Sequence, residues 1–254
     1  MDLSQFFSYS DWKGPAFELF GPAHLTAIGF FVVLNILFIA FRNKIGPRLD
    51  RIFRITMAVL LVADEIAWHV WNWVNGNWSI QTMLPLYLCS VFVWVGAYML
   101  VTKNYTIYEF IYLLGIPAAL QAFLTPDAGR FGFPHYRFFQ VMLSHGLIIT
   151  SALYMSFVVR FRPTWASVGK VLLFSNIYAL VIFFFNYLIG SNYLFLAHKL
   201  DTASLLDVLP PWPYYLVFIE LLGVIFVLLF YAPYAIRDGL KRLAVKPEPS
   251  APIQ

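Results

Sequence analysis

Residues 22–41 read PAHLTAIGFFVVLNILFIAF, twenty positions without one Asp, Glu, Lys or Arg. A helix rises about 1.5 Å per residue, so the stretch spans about 30 Å, the thickness of a bilayer's hydrocarbon core. It follows an acidic and aromatic segment, Asp11-Trp12-Lys13 through Glu18, that has neither a basic leader nor a small-residue cleavage site. The stretch is therefore read as a membrane helix of the mature chain and not as a cleaved signal. The same ruler, laid along the chain, predicts seven spans in all: 22–41, 53–74, 84–101, 107–124, 138–159, 169–190 and 212–234.

Composition agrees. Of 254 residues, 61% are hydrophobic and 12% charged, about half the charged share of an ordinary soluble domain. With 17 Lys+Arg and 13 Asp+Glu there is too little charge to cover a water-facing surface of this size, which excludes a soluble enzyme. Aromatic residues make up 19%, as suits lipid-facing grooves and interfacial anchors. One cysteine excludes an intrachain disulfide and a multi-cysteine zinc site. The net charge of +4 comes from short loops between apolar runs, so it reads as an orientation signal and not as a nucleic-acid surface.

Lys and Arg are retained on the cytoplasmic side. With the N-terminus outside, thirteen basic residues fall inside, among them Arg42, Lys44, Arg48, Arg51, Arg54 and Lys103, and four fall outside: Lys13, Arg130, Arg137 and Lys199. The expectation is an all-α, polytopic cell-membrane protein, N-terminus outside and C-terminus cytoplasmic. Residues 1–240 are expected to form a single seven-helix transmembrane domain, with 241–254 a Pro-rich, disordered tail. No appended soluble domain is expected, so function is placed in the helical body and its outer loops.

Ionisable residues inside spans are expensive and mark functional sites or paired contacts. Here they are Asp64, Glu65 and His69 in the second span, Cys89 in the third, His145 in the fifth and Glu220 in the seventh, with Asn186 in the sixth and His24 opening the first. Under the expected topology they form one layer, roughly 3 to 14 Å below the outer boundary. Glu65 and His69, spaced i,i+4, share a helix face.

Each residue also has a plainer reading. A lone Cys in an apolar helix is usually a small hydrophobe; intramembrane carboxyls often serve interhelical hydrogen bonds; His24 could simply be solvated; and Trp68, Trp71, Trp73 and Trp78 could be an interfacial belt. Together, however, a thiol and an imidazole at one depth are the ingredients of a Cys-His nucleophile, in which the imidazole takes the thiol proton and the thiolate attacks an acyl carbonyl. Tyr87, Asn186 and Asn192 could offer donors to an oxyanion, and Glu65, His69 or Glu220 could orient the imidazole. A binding or transport protein for a small polar solute or a proton could use the same layer, with Gly115 and Pro117 as a weak helix interruption. A zinc hydrolase would draw His24, His69, His145 and Cys89 from four helices with no short-spaced pair, so no metal and no cofactor is expected.

The stretch Leu84-Pro85-Leu86-Tyr87-Leu88-Cys89, then Ser144-His145-Gly146, Asn186-Tyr187, Gly190-Ser191-Asn192-Tyr193 and Pro211-Trp212-Pro213-Tyr214-Tyr215 resembles, in order and spacing, the bacterial YwaF-like integral membrane family. That family is similar to eukaryotic membrane acyltransferases that use a cysteine and a histidine to form ether phospholipids, and more distantly to membrane hydrolases of fatty-acid esters. The resemblance implies Cys89 as acyl-accepting nucleophile, His145 as its base and a membrane lipid as substrate. The family motif reads Leu-Pro-Leu-His-Leu-Cys, and this chain has Tyr87 where the motif has His.

Overall fold

The computed structural model describes residues 3–199 and 208–244, and among these it contains helices and no strand. A short α1 (Leu3–Phe6) precedes α2 (Pro22–Phe41), α3 (Pro47–Val74) and α4 (Leu88–Thr102). Next come α5 (Tyr105–Phe110), a π-turn (Ile111–Gly115) and α6 (Ile116–Leu124), which run on as one rod, then α7 (Tyr136–Phe157), α8 (Trp165–Ile189), a 3₁₀ turn (Tyr193–Phe195) and α9 (Tyr215–Ala244). Residues 245–254, most of the expected tail, lie outside the described residues.

Local chemistry sets the ends. Pro22 and Pro47 open α2 and α3, where a missing N–H does no harm. A reciprocal Thr164–Ser167 capping box starts α8, and Gly190, at φ 66°, ends it. The third predicted span differs: Leu84–Tyr87 is not helical, because Pro85 disfavours helix at the residue before it, and α4 begins only at Leu88. Cys89 thus lies in the first turn of a 15-residue helix, nearer its helix's N-terminus than the span 84–101 implied. The interruption at Gly115 and Pro117 is the π-turn, where Ile116 N–H bonds to the Ile111 carbonyl.

Among the described residues, five helices are long and apolar enough to cross a membrane: Pro22–Phe41, Tyr105–Leu124, Tyr136–Phe157, Trp165–Ile189 and Tyr215–Lys241. Buried residues make up 72% of the apolar window of α7, against 17% in α8 and α9 and 11% in α2. The last three therefore turn most of their apolar surface outward, as lipid-facing helices do, while α7 is the packed centre. Around it lie α2, α3, α4 and α6; α9 meets the π-turn and α8, and α8 meets α5.

Gly146 lets α2 approach α7, since a Cβ there would come within 2.5 Å of the Phe31 ring. At the Arg/Lys-rich end, Asp50 accepts from Arg54 Nε at 3.2 Å and from the Tyr154 hydroxyl at 3.2 Å, and pairs with Lys103 at 2.8 Å. Arg54 also donates to the Leu100 and Val101 carbonyls, which have no partner within α4. Buried Glu109 accepts from Ser167 Oγ at 2.6 Å and pairs with Lys170, anchoring α8 to α5. These two ionic clusters fix one end of the bundle.

Candidate functional site

The inward stripe of α3 includes Met57, Ala58, Leu61, Asp64, Glu65, Trp71 and Asn72, the i,i+3,i+4 spacing of one helix face. Asp64 and Glu65 are therefore carried into the protein by the same periodicity that buries Leu61. Facing them, α7 supplies Tyr136, Arg137 and Gln140. Gln140 Nε2 donates to Asp64 Oδ2 at 3.2 Å, and Arg137 donates to Gln140 Oε1 and, at 3.0 Å, to the Asp127 carbonyl. The guanidinium lies 4.2 Å from the centre of the Trp68 ring. Of the polar seam so formed, the sequence reading named Asp64 and Glu65 and missed Tyr136, Arg137 and Gln140. Arg137 had a visible signal, as one of few basic residues on the expected outer side, directly at the mouth of a span.

Glu65 and His69 do share a face, with His69 Nε2 3.6 Å from Glu65 Oε1. Trp78 Nε1 donates to His69 Nδ1 at 3.0 Å, so that nitrogen is the acceptor and Nε2 carries the hydrogen. Glu65 is 3% exposed, yet its Oε1 has no hydrogen-bond partner, nor has the hydroxyl of buried Tyr136. Leaving a buried polar group unpaired costs about 1–3 kcal/mol, so two in one seam call for an explanation.

Cys89, a free thiol, lines a different feature: a mostly apolar cavity of about 1160 Å³, larger than the roughly 300–1,000 Å³ of common small-molecule sites. Its walls come from the start of α4 (Tyr87, Cys89), from α6 and the loop after it (Gln121, Asp127), and from α8 and α9 (Ser175, Tyr178, Ile219, Glu220). His145 is not part of that wall. Its Nδ1–H donates to the Val141 carbonyl at 2.8 Å, leaving the Nε2 lone pair uncommitted, and Arg137 is the charged group within its electrostatic reach. No hydrogen bond joins the Cys89 thiol to the His145 ring.

The remaining candidates have other work. Asn186 is saturated by Tyr193 and Ser191: its Nδ2 donates to the Tyr193 carbonyl and its Oδ1 accepts from Ser191 Oγ and Tyr193 N. Asn192 shapes its own loop through Ala197 and His198. Glu220 accepts from Asn176 at 2.8 Å across α8 and α9. Tyr87 packs its ring against Tyr193, at 5.1 Å, and Phe195. His24 is buried and not solvated, with Nδ1 accepting from Phe20 N–H and Nε2 donating to the Phe123 carbonyl. Of the four tryptophans, Trp71 is buried, Trp68 and Trp78 are half-buried, with Trp78 donating to His69, and Trp73 is 69% exposed, as an interfacial belt would have it. No group of three metal-ligating side chains comes together among the described residues.

Above the seam the N-terminal segment forms a cap. Phe7, Ser8, Tyr9 and Pro15 offer carbonyls to Trp71 Nε1, His135 Nε2, Arg130 and Gly132 N. Gly132 is required there, since a Cβ would come within 2.4 Å of the Ala16 carbonyl oxygen.

With that geometry in view, residues 19–231 match the TMEM164 family. The chain belongs to that family of multi-pass membrane proteins. The match covers the polar seam, the cavity's helices and Cys89, and leaves out most of the N-terminal cap. No curated protein and no solved structure matches the sequence.

His135, just before α7, makes the cap sensitive to acid. Its Nδ1 accepts the Arg137 backbone N–H while Nε2 donates to Ser8, an arrangement that needs the neutral ring. Burial, reinforced by Arg130 and Arg137, holds its pKa below the ordinary value, against the opposing pull of the Ser8 carbonyl. With the folded value below the unfolded one of about 6.5, this contribution is complete above about pH 6.5 and declines as pH falls below it. Backbone hydrogen exchange in residues 3–20 should accelerate between about pH 7.5 and about pH 5.5, after correction for intrinsic rates, and His135→Gln should abolish that difference. Equal protection at both pH values in the parent would contradict it.

Proposed function

We propose that the chain is a cell-membrane enzyme that transfers or hydrolyses the acyl group of a lipid ester, with Cys89 as the acyl-accepting nucleophile. The observation that carries this reading is the free thiol on the wall of a large, mainly apolar cavity bounded by α8 and α9, two of the three long helices that turn most of their apolar surface outward. A lipid entering between them would bring its acyl chain against Leu172 and Leu216 and its ester toward Cys89. The thiolate attacks the ester carbonyl, the C–O bond breaks, and the lysolipid leaves as an alcohol. A second lysolipid hydroxyl, or water, then attacks the thioester and restores the thiol. Tyr87, on the same wall, is the nearest polar side chain in sequence able to donate to a developing oxyanion.

The resemblance of the Leu84–Cys89 and Ser144–Gly146 stretches to acyl-transferring membrane enzymes supports the same reading. His145 is the imidazole that the resemblance assigns as base. Because it makes no hydrogen bond to the thiol, the proposal rests on the thiol and its cavity and not on a formed Cys-His pair.

The proposed topology has seven crossings, adding α3 and α4 to the five long apolar helices, with the N-terminus outside. It puts the Asp50 and Glu109 clusters on the cytoplasmic side and the cap, the seam and Cys89 in the outer half. A C-terminal reporter active only in the cytoplasm should give signal; activity of a periplasmic or extracellular reporter at that end would reverse the orientation.

For the chemistry, the purified chain in lipid nanodiscs is supplied with a phospholipid whose acyl chain is labelled. Hydroxylamine-labile label should appear on the parent chain and be absent from Cys89→Ala. If parent and variant carry equal label or none, the acyl-transfer reading fails and the polar layer is better read as a binding or transport site for a small polar solute or a proton.

A further inference from the structure

The cations at the Arg/Lys-rich end divide into two sets. Arg54 and Lys103 pair with Asp50, Arg162 with Asp238 and Lys170 with Glu109. Arg42, Lys44, Arg48, Arg51 and Arg160 are exposed, and among the described residues none of these five has a carboxylate within salt-bridge distance. Arg42 Nη1 donates to the Ile39 carbonyl at 3.0 Å, and Lys44 lies 5.5 Å from the centre of the Phe41 ring. Two loops gather the set in one place. Arg160, in the turn between α7 and α8, donates from Nη2 to Asn43 Oδ1 at 3.0 Å, and Asn43 stands between Arg42 and Lys44 in the α2–α3 loop. Arg48 and Arg51 follow at the start of α3, spaced i,i+3 and so on one helix face. Asp50, the one acid between residues 42 and 54, is already committed to Arg54, Lys103 and Tyr154.

We propose that Arg42, Lys44, Arg48, Arg51 and Arg160 form a binding site for the phosphate headgroup of an anionic phospholipid. Like charges gathered without an anion repel one another, and an external anion relieves that repulsion. Apolar side chains alternate with the cations: Phe41 beside Arg42, Leu49 beside Arg48 and Ile52 beside Arg51, all exposed. A water-borne polyanion would neutralise the charges but leave those apolar groups in water, whereas a lipid satisfies both, its phosphate on the cations and its chains on the apolar groups. The corner stands at the end of α2, a helix long and apolar enough to cross a membrane, and therefore at the level of the headgroups. Guanidinium suits the ligand because it can give two parallel N–H bonds to phosphate oxygens. The Asp50 cluster next to this corner holds the last turn of α4, whereas Cys89 is in the first, so the site is separate from the chemistry proposed at the thiol.

The test is lipid retention, read by native mass spectrometry of the full chain released from nanodiscs that hold phosphatidylglycerol and phosphatidylcholine in equal amounts. The parent should retain phosphatidylglycerol in preference to phosphatidylcholine. Each cation near a charged membrane surface contributes about fivefold in affinity, so Arg48→Gln with Arg51→Gln should weaken phosphatidylglycerol binding about 25-fold, and Arg42→Gln alone about fivefold. The control is Arg237→Gln, an exposed cation on α9, which packs on α8 and the π-turn and not on α2 or α3; it should leave the preference intact. The thermal unfolding midpoint, followed in parallel, should rise with phosphatidylglycerol in the parent and not in the double variant. Equal retention of both lipids by the parent, or an unchanged preference in the double variant, overturns the proposal. A loss as large in Arg237→Gln also overturns it, since the effect is then diffuse charge and not a site. Inorganic phosphate alone should neither raise the midpoint nor displace the lipid; if it does both, the ligand is free phosphate and the lipid assignment falls.

Discussion

Arg137 is the residue on which the arrangement of the seam depends. A guanidinium pulled into a packed helical bundle must find partners for its donors, and it does so on Gln140, the Asp127 carbonyl and the face of Trp68. Those contacts fix the start of α7 against α3 and against the loop that follows α6. Through Gln140 they also hold Asp64, while Glu65, one residue along, has its Oε1 3.6 Å from His69 Nε2. Asp127 lies on the wall of the large cavity, so one cation ties the interior seam to the cavity's edge.

The rest of the bundle makes that edge possible. The Asp50 cluster staples α3, α4 and α7 together at one end and the Glu109 cluster ties α8 to α5, while α8 and α9 contribute to the wall of the cavity. A bundle held firmly at one end can keep a gap at the other without losing its packing. The cap formed by the N-terminal segment closes the C-terminal end of α3 and the N-terminal end of α7 but is absent from the cavity's lining, so the seam is covered by the cap while the cavity is bordered by α8 and α9.

Helical periodicity explains which parts were legible beforehand. Long uncharged runs such as 22–41 and 171–190 identify helices directly, and the i,i+4 spacing of Glu65 and His69 places them on one face, as observed. Depth in a membrane is a weaker guide: Cys89 and His145 were expected in one layer yet have different neighbours, because depth says nothing about which helices adjoin or how they are rotated. Asn186 and His24 looked available because side-chain type alone does not reveal that nearby backbone groups occupy them. The N-terminal cap was illegible for a related reason, since its bonds are made mostly by main-chain carbonyls, which every residue carries. Tyr136 and Gln140 were missed because neither is ionised at neutral pH, although the chemistry of Asp64 and Glu65 demanded polar partners on a facing helix.

The central claim, that a lipid ester comes to rest at Cys89, is tested most directly by an experimental density map of the chain in lipid nanodiscs. The account predicts a tubular, acyl-chain-like density between α4, α8 and α9, with its polar end beside Cys89. A cavity closed by α8 and α9 packing directly onto α4, with the thiol sealed against protein and no density beside it, would contradict it.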